Sequence, residues 1–314
     1  MSLRSVMGQE GAVAQLSDEL RTGTVKHAYL FHGVKGIGKK FTAIQFAQAL
    51  LCEAPVNGDA CETCESCARI ADGRHPDVLI VDYEFQAALL NEKVSEQRSM
   101  GIEAVREMQR LAALTGYHAV RKIFILDAVE TMQEAGANSL LKTLEEPSGP
   151  CVFILVSAGM GSLPRTIVSR CELVSFKPLD PETLRTCALT GRSNGAFPGI
   201  DEGMLRSAHG SLHRLEALLQ LGTERTPEAL LRAPVAARYS TVDALVRTQR
   251  DTARQLVYCL AELGIRRAIR QSADQAVRIA EELLGDIAAL RANIDLRVLI
   301  ETMIARLELP WNKN

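Results

Sequence analysis

Two groups of residues in this sequence are of types and spacings that do chemistry. The first is HGVKGIGKKF, residues 32–41. A loop that wraps phosphate with backbone N–H groups reads G-x-x-x-x-G-K-[ST]: the glycines let the backbone curl, the lysine neutralises the outer phosphates, and the hydroxyl ligates magnesium. Gly33, Gly38 and Lys39 meet that pattern, and Gly36 adds another permissive position. Lys40 stands where the hydroxyl belongs. An ammonium has no lone pair and cannot ligate a cation. Thr42, two residues on, is turned about 200° around a helix and substitutes poorly. The acidic partner of such a loop would be Asp127, at the end of the apolar run IFILD, where a carboxylate holds magnesium through water. A hydrolase also needs a following glutamate to polarise the attacking water. Position 128 is Ala, and Glu130 lies two residues further on. Two elements of hydrolysis are therefore altered, each typically worth on the order of 10² to 10³ in rate. The competing reading is a glycine-rich turn without ligand, with Asp127 capping the next turn.

The second group is Cys52, Cys61, Cys64 and Cys67, spaced C-x8-C-x2-C-x2-C. Four thiolates fill a tetrahedral zinc shell, and the two C-x2-C steps make the tight turns such a site uses. A closed shell leaves no position for water, so the expected zinc is structural. An iron–sulfur cluster and a redox pair are the competing uses. His75 is a spare candidate ligand, expected to be structural or exposed instead. The other cysteines, at 151, 171, 187 and 259, are scattered, and a reducing compartment is expected.

These groups need a scaffold. AYLFHG (28–33) reads as a buried strand running into the glycine loop, and KKFTAIQFAQALLC (39–52) as the helix that follows, the context a phosphate loop requires. DVLIVDY (77–83), KIFILDA (122–128), CVFILVSA (151–158) and CELVSFKPL (171–179) read as four further strands. GIEAVREMQRLAALTG (101–116) has Ile102, Val105, Met108 and Leu111 or Ala112 on one helical face, and QEAGANSLLKTLEEP (133–147) is a helix stopped by Pro147. Continuously apolar strands alternating with helices predict a parallel sheet covered on both faces. From about Pro181 strand signals vanish. Helical stretches follow, such as 203–221 and 273–292, with a break at GTERTPEALLRAP, so boundaries are set near 178 and 224.

The chain has 314 residues, 47 % of them hydrophobic and 24 % charged, which excludes wholesale disorder and permits two or three domains. A net charge of -2 gives no broad basic field, so any DNA contact is local or made by partners. Aromatics at 4 % argue against a base-stacking single-strand binder. No apolar run reads as a signal peptide or a membrane span, and a cytoplasmic location is expected.

In combination these segments resemble the delta-prime family of bacterial DNA polymerase III clamp-loader subunits, within the AAA+ superfamily. The carrying residues are HAYLFHGVKGIGKK (27–40), the four cysteines, HPDV (75–78), ANSLLKTLEEP (137–147), IVSRCELVSF (167–176) and GSLHRLEALL (210–219). The resemblance implies an α/β AAA+ RecA-like domain over 1–178 with a zinc module at about 52–67. It implies a small helical lid over 179–224 and an all-α collar over 225–314 that carries oligomerisation. It implies membership of a five-subunit ring with gamma/tau and delta subunits, which opens the sliding clamp and loads it on primed DNA. In that family the motor subunits hydrolyse ATP, while delta-prime presents the arginine of a Ser-Arg-Cys motif to a neighbour's nucleotide. Here that motif is Ser169, Arg170 and Cys171. Departures from the motor pattern are Asp127-Ala128 in place of an Asp-Glu box, and His213 beside Arg214 in place of the lid arginine; Ser157 falls near the polar sensor position. The retained Lys39 leaves ATP or ADP binding open. An active motor-type subunit, with Thr42 or Glu130 rescuing hydrolysis, is the alternative, and a zinc-containing regulator unrelated to the ring a third.

Overall fold

In a computed structural model of the chain, the described residues are 2–97, 99–113, 121–147, 149–161, 163–190, 200, 202–221, 227–232, 235–248 and 295–308, with positions 253, 256, 257, 260, 261 and 264. They belong to two compact units, Met1–Thr183 and Leu184–Asn314.

The first unit is built on a five-stranded sheet: β1 Ala28–His32, β2 Val78–Val81, β3 Lys122–Leu126, β4 Cys151–Ser157 and β5 Glu172–Ser175. All neighbouring pairs run parallel, in the order β2-β3-β4-β1-β5. Side chains alternate between the two faces of a strand, and here both faces are dry. Ala28 and Leu30, with Phe124, Leu126, Phe153 and Leu155, pack on one side against α5 (Ile102–Ala112) and α6 (Glu134–Glu145). Tyr29 and Phe31, with Ile123, Ile125, Ile154 and Val156, pack on the other against α1 (Glu10–Thr22), α2 (Lys39–Leu51) and α3 (Glu65–Ala71). This two-sided burial is why the strands read as unbroken apolar runs rather than alternating ones. The helix expected over 101–116 buries Val105, Met108 and Ala112, and its positions 114–116 lie outside the described residues.

In the second unit, the stretch expected as one helical run over 203–221 is two helices, Glu202–Ala208 and Leu212–Leu221. His209 (φ 48°) and Gly210 (φ 70°) sit consecutively in the left-handed region, which no helix interior accommodates. Ser211 Oγ then accepts from the Arg214 N–H at 3.2 Å and starts the next helix. The helices Val235–Thr248 and Leu296–Glu308 are joined by Arg297, whose Nη1 reaches Asp243 at 2.9 Å while its Nε bonds Glu301 at 2.8 Å. The helix expected over 273–292 lies outside the described residues.

Candidate functional site

In a parallel sheet every strand ends on the same edge, and the crevice outside the carboxyl ends is where α/β proteins bind ligands. Here that edge carries the glycine loop after β1, Asp82 after β2, Asp127 after β3 and Ser157 at the end of β4. The Asp127 N–H donates to Val81 O at 3.0 Å, which brings the ends of β2 and β3 together.

The loop has the backbone its glycines permit. Gly33, Gly36 and Gly38 have φ of 147°, 77° and 95°, a region L side chains rarely adopt. At Gly33 space is limiting as well: a Cβ there would lie 2.5 Å from Phe176 O. Gly38 starts α2, and its carbonyl accepts from the Thr42 N–H at 2.8 Å and from Thr42 Oγ1 at 2.9 Å. The Thr42 hydroxyl is thus fully buried and spent on its own helix.

The two lysines have different surroundings. Lys39 is buried, at 5 % exposed, and its ammonium donates to Gly33 O and Val34 O, both at 2.7 Å. Burial pulls its pKa down to about 8, although the charges of Glu130 and Asp127 resist the fall. Lys40 turns the other way. Its Nζ lies 2.7 Å from Asp82 Oδ2 and 3.4 Å from Asp127 Oδ2. Burial works to depress the Lys40 pKa, but the hydrogen bond and charge of Asp82, with Asp127 behind them, outweigh it, and the net shift is upward. A cation therefore already bridges the two strand-end carboxylates. Their other oxygens are occupied locally: Asp82 Oδ1 caps α4 (Tyr83–Leu90) through the Phe85 N–H at 2.9 Å, and Asp127 Oδ1 accepts the Ala128 N–H at 2.9 Å.

Behind Asp127 the chain turns through Ala128 at φ 55°, and Glu130 follows in a short 3-10 turn. Glu130 Oε2 is buried without a hydrogen-bond partner among the described residues. Ser157 is fully buried, and its hydroxyl donates to Gly159 O at 2.7 Å. Asp82 was not among the residues singled out from sequence. Its signal was present, an acid closing the apolar run DVLIV just as Asp127 closes IFIL, but only the pairing of β2 with β3 makes the two carboxylates neighbours.

The four cysteines meet at the end of α2. Their sulfurs all lie within 4.8 Å of one another, and Cys52 and Cys64 are 4.0 Å apart. Tetrahedral zinc with Zn–S near 2.3 Å sets sulfurs about 3.8 Å apart, so the donor set fits that ion; a disulfide would need about 2 Å. Backbone N–H groups turn onto these sulfurs as metal-binding turns do: Cys61 onto Cys52 (3.2 Å), Cys64 onto Cys61 (3.3 Å) and Cys67 onto Cys64 (3.4 Å). Backbone and hydroxyl donation from Thr63, then the Cys64 N–H, lowers the Cys61 thiol to about 6, whereas burial raises Cys52 and Cys67. The set can hold a metal ion.

His75 is not part of this group. Its Nδ1 accepts from the Asp77 N–H at 3.1 Å, so Nε2 carries the proton toward Ser66 Oγ at 3.1 Å, the expected structural role. The module also holds the start of the chain, since Asp59 accepts the N–H groups of Leu3 (3.2 Å) and Arg4 (3.4 Å).

Ser169, Arg170 and Cys171 lie elsewhere. They link the short helix Arg165–Val168 to the amino end of β5. Register places Glu172 beside Tyr29 and Ser175 beside His32, so Arg170 stands at the edge of the sheet opposite the glycine loop. Ser169 is exposed. Arg170 Nη2 pairs with Glu145 Oε1 at 2.5 Å and its Nη1 donates to Thr166 O at 2.9 Å. Cys171 packs against the core, where burial pushes its thiol up to about 12. His213 and Arg214 lie on the helix Leu212–Leu221 of the second unit.

Among the described residues no helix is long and apolar enough to cross a membrane.

Comparison with known proteins places this geometry in a family. Residues 8–180 match the model described as "DNA polymerase III, delta subunit". The DNA polymerase III subunit delta' of Pseudomonas aeruginosa is 37 % identical over 145 residues, 46 % of this chain and 41 % of the relative. Its Bacillus subtilis counterpart is 32 % identical over 169 residues, 54 % of this chain and 47 % of the relative. The DNA polymerase III subunit tau of Bacillus subtilis is 34 % identical over 208 residues, 66 % of this chain and 33 % of the relative. The matches thus span a third to a half of these relatives' lengths. In fold, the chain resembles a DNA polymerase III gamma-subunit-related protein from Thermotoga maritima, at 16 % identity and a TM-score of 0.52, over 93 % of this chain and 98 % of that one. The family model covers residues 8–180, more than half of the chain, and the delta' relatives agree with it: the chain belongs to the DNA polymerase III delta-subunit family and is a delta-prime-like member of it.

Proposed function

We propose that this chain is a catalytically silent AAA+ subunit of a clamp loader, which supplies Arg170 in trans to a neighbouring ATPase subunit. The observation that carries the proposal is the Lys40 ammonium between Asp82 and Asp127, 2.7 and 3.4 Å away. A hydrolytic site of this type needs a magnesium ion there and a carboxylate to direct water. Here the cation is a side chain, and the water-directing position is Ala128.

The place of Arg170 supports the second half of the reading. It stands at the amino edge of the sheet, away from its own glycine loop. A guanidinium presented there can serve another subunit's triphosphate with a rigid, permanent charge. Ser169 and Cys171 frame it, Cys171 as a packed anchor. In this reading 179–224 acts as the lid and 225–314 as the collar, the collar joining gamma/tau and delta neighbours in a hetero-pentamer. Through that assembly the chain meets the sliding clamp and primer-template DNA. Zinc on Cys52, Cys61, Cys64 and Cys67 is structural, and Gly33, Gly36, Gly38 and Lys39 keep the form of a nucleotide loop without its turnover.

The motor-type alternative has one observation in its favour: the tau relative matches more of the chain than either delta' relative, 66 % against 54 and 46 %. ATP turnover by the isolated chain, with and without Lys39→Ala, separates the two readings, and the role of Arg170 is tested by ATP turnover of the reconstituted ring carrying Arg170→Ala. An arginine finger is worth on the order of 10³-fold or more at the site it serves, so one site of the ring should fall silent while the others continue. An unchanged ring rate would remove Arg170 from this role.

A further inference from the structure

Lys40 does more than fail to be a serine. The crevice contains a complete bridge of carboxylate, cation and carboxylate: Asp82 Oδ2, Lys40 Nζ and Asp127 Oδ2, at 2.7 and 3.4 Å. Each carboxylate is held by a second bond to backbone, Asp82 to the Phe85 N–H and Asp127 to the Ala128 N–H. The ends of β2 and β3 are themselves joined by the Asp127 N–H to Val81 O bond. Two fixed carboxylates facing one point are hard oxygen donors of the kind that binds magnesium or manganese, ions usually held by one or two carboxylates plus waters and phosphate. The ammonium holds the point that the two carboxylates face.

We propose that Lys40 is a tethered counter-cation that excludes a divalent metal from this crevice, and that Asp82 together with Asp127 is the carboxylate pair such a metal would use. The inference deepens the silent-subunit reading and rests on it. A metal ion would arrive and leave with nucleotide. The ammonium is tethered to the chain, and through these contacts it ties the start of α2 to the ends of β2 and β3. Raising of the Lys40 pKa by the two carboxylates agrees with a cation in its preferred environment. The consequence is specific: replacing Lys40 by the hydroxyl residue that the loop pattern calls for should uncover a divalent-metal site with three oxygen ligands, one each from position 40, Asp82 and Asp127.

The test is titration of the isolated full chain with Mn²⁺ alone, followed by paramagnetic resonance of the free ion. Lys40→Ser is compared with the unaltered chain, with Lys40→Arg and with the double variant Lys40→Ser/Asp82→Asn. The expected result is one added Mn²⁺ site per chain in Lys40→Ser, at least about tenfold tighter than in the unaltered chain. That site should be lost in the double variant and absent in Lys40→Arg. Equal Mn²⁺ binding by Lys40→Ser and the unaltered chain would overturn the proposal. Should Lys40→Ser not fold, Lys40→Thr replaces it, and the unaltered chain gives a second reading. Its melting temperature should respond to about 10 mM Mn²⁺ no more than to NaCl of matched ionic strength, and a stabilisation that Asp82→Asn abolishes would overturn the proposal. The readout is metal alone. ATP turnover by the unaltered chain would instead sink the silent-subunit reading, so the two failures are distinguishable.

Discussion

Replacing Lys40 by methionine keeps the stem and removes the charge, leaving Asp82 and Asp127 facing each other. The size of the effect follows from the geometry. Unit charges 2.7 Å apart attract by about 1.5 kcal/mol at the dielectric of water and about 6 kcal/mol at an effective value near 20. Desolvation of both partners offsets most of the larger figure. The Lys40 side chain is 37 % exposed and that of Asp82 15 %, so the pair lies between a surface bridge, worth up to about 1 kcal/mol, and a buried one. A coupling of about 1–2 kcal/mol between positions 40 and 82 is expected. It is read from a double-mutant cycle of Lys40→Met and Asp82→Asn, by urea unfolding followed with circular dichroism. The pH dependence has a definite sign. Because the folded state raises the Lys40 pKa, it binds the proton more tightly than the unfolded chain. The contribution is therefore whole below the unfolded value, about 10.4, and fades as pH climbs through the higher folded one. A coupling below about 0.3 kcal/mol at pH 7, or one that weakens between pH 7 and 9, would refute the reasoning.

Zinc analysis of protein purified without chelator should find about one metal per chain, carried by four thiolates; none, or a visible iron–sulfur absorption band, would defeat that assignment. Removing the metal should also free the start of the chain, because Asp59 of the same module accepts the Leu3 and Arg4 N–H groups. Tryptic cleavage after Arg4 should then accelerate, whereas an unchanged rate would mean that the module holds its shape without metal. Gly33→Ala places a Cβ 2.5 Å from Phe176 O at a φ of 147°, and should cost roughly 1–3 kcal/mol. An unchanged unfolding midpoint would show that the loop relaxes easily.

The sheet was legible because two-sided burial writes itself as unbroken apolar runs, and Val78–Val81, Lys122–Leu126 and Cys151–Ser157 all fall within such runs. The glycine loop was legible because its neighbours on both sides carry opposite periodicities, strand before and helix after. Asp82 was not singled out, although it closes its apolar run just as Asp127 does, because its meaning depends on which strands are adjacent. Parallel order is set by crossover connections of dozens of residues, and a local pattern does not record it. The Glu145 partner of Arg170 was hidden for the same reason, 25 positions away in sequence and 2.5 Å away in space. The break at His209-Gly210 was missed because leucine periodicity on either side continued across it, while a left-handed histidine carries no strong sequence signal.

The most direct measurement is ATP turnover by the isolated chain in excess Mg²⁺, with and without Lys39→Ala. With the crevice's cation supplied by Lys40, turnover should stay at background in both proteins. Turnover well above background that Lys39→Ala abolishes would show that the glycine loop, its lysine and a metal work together after all, and would contradict the silent-subunit account at its root.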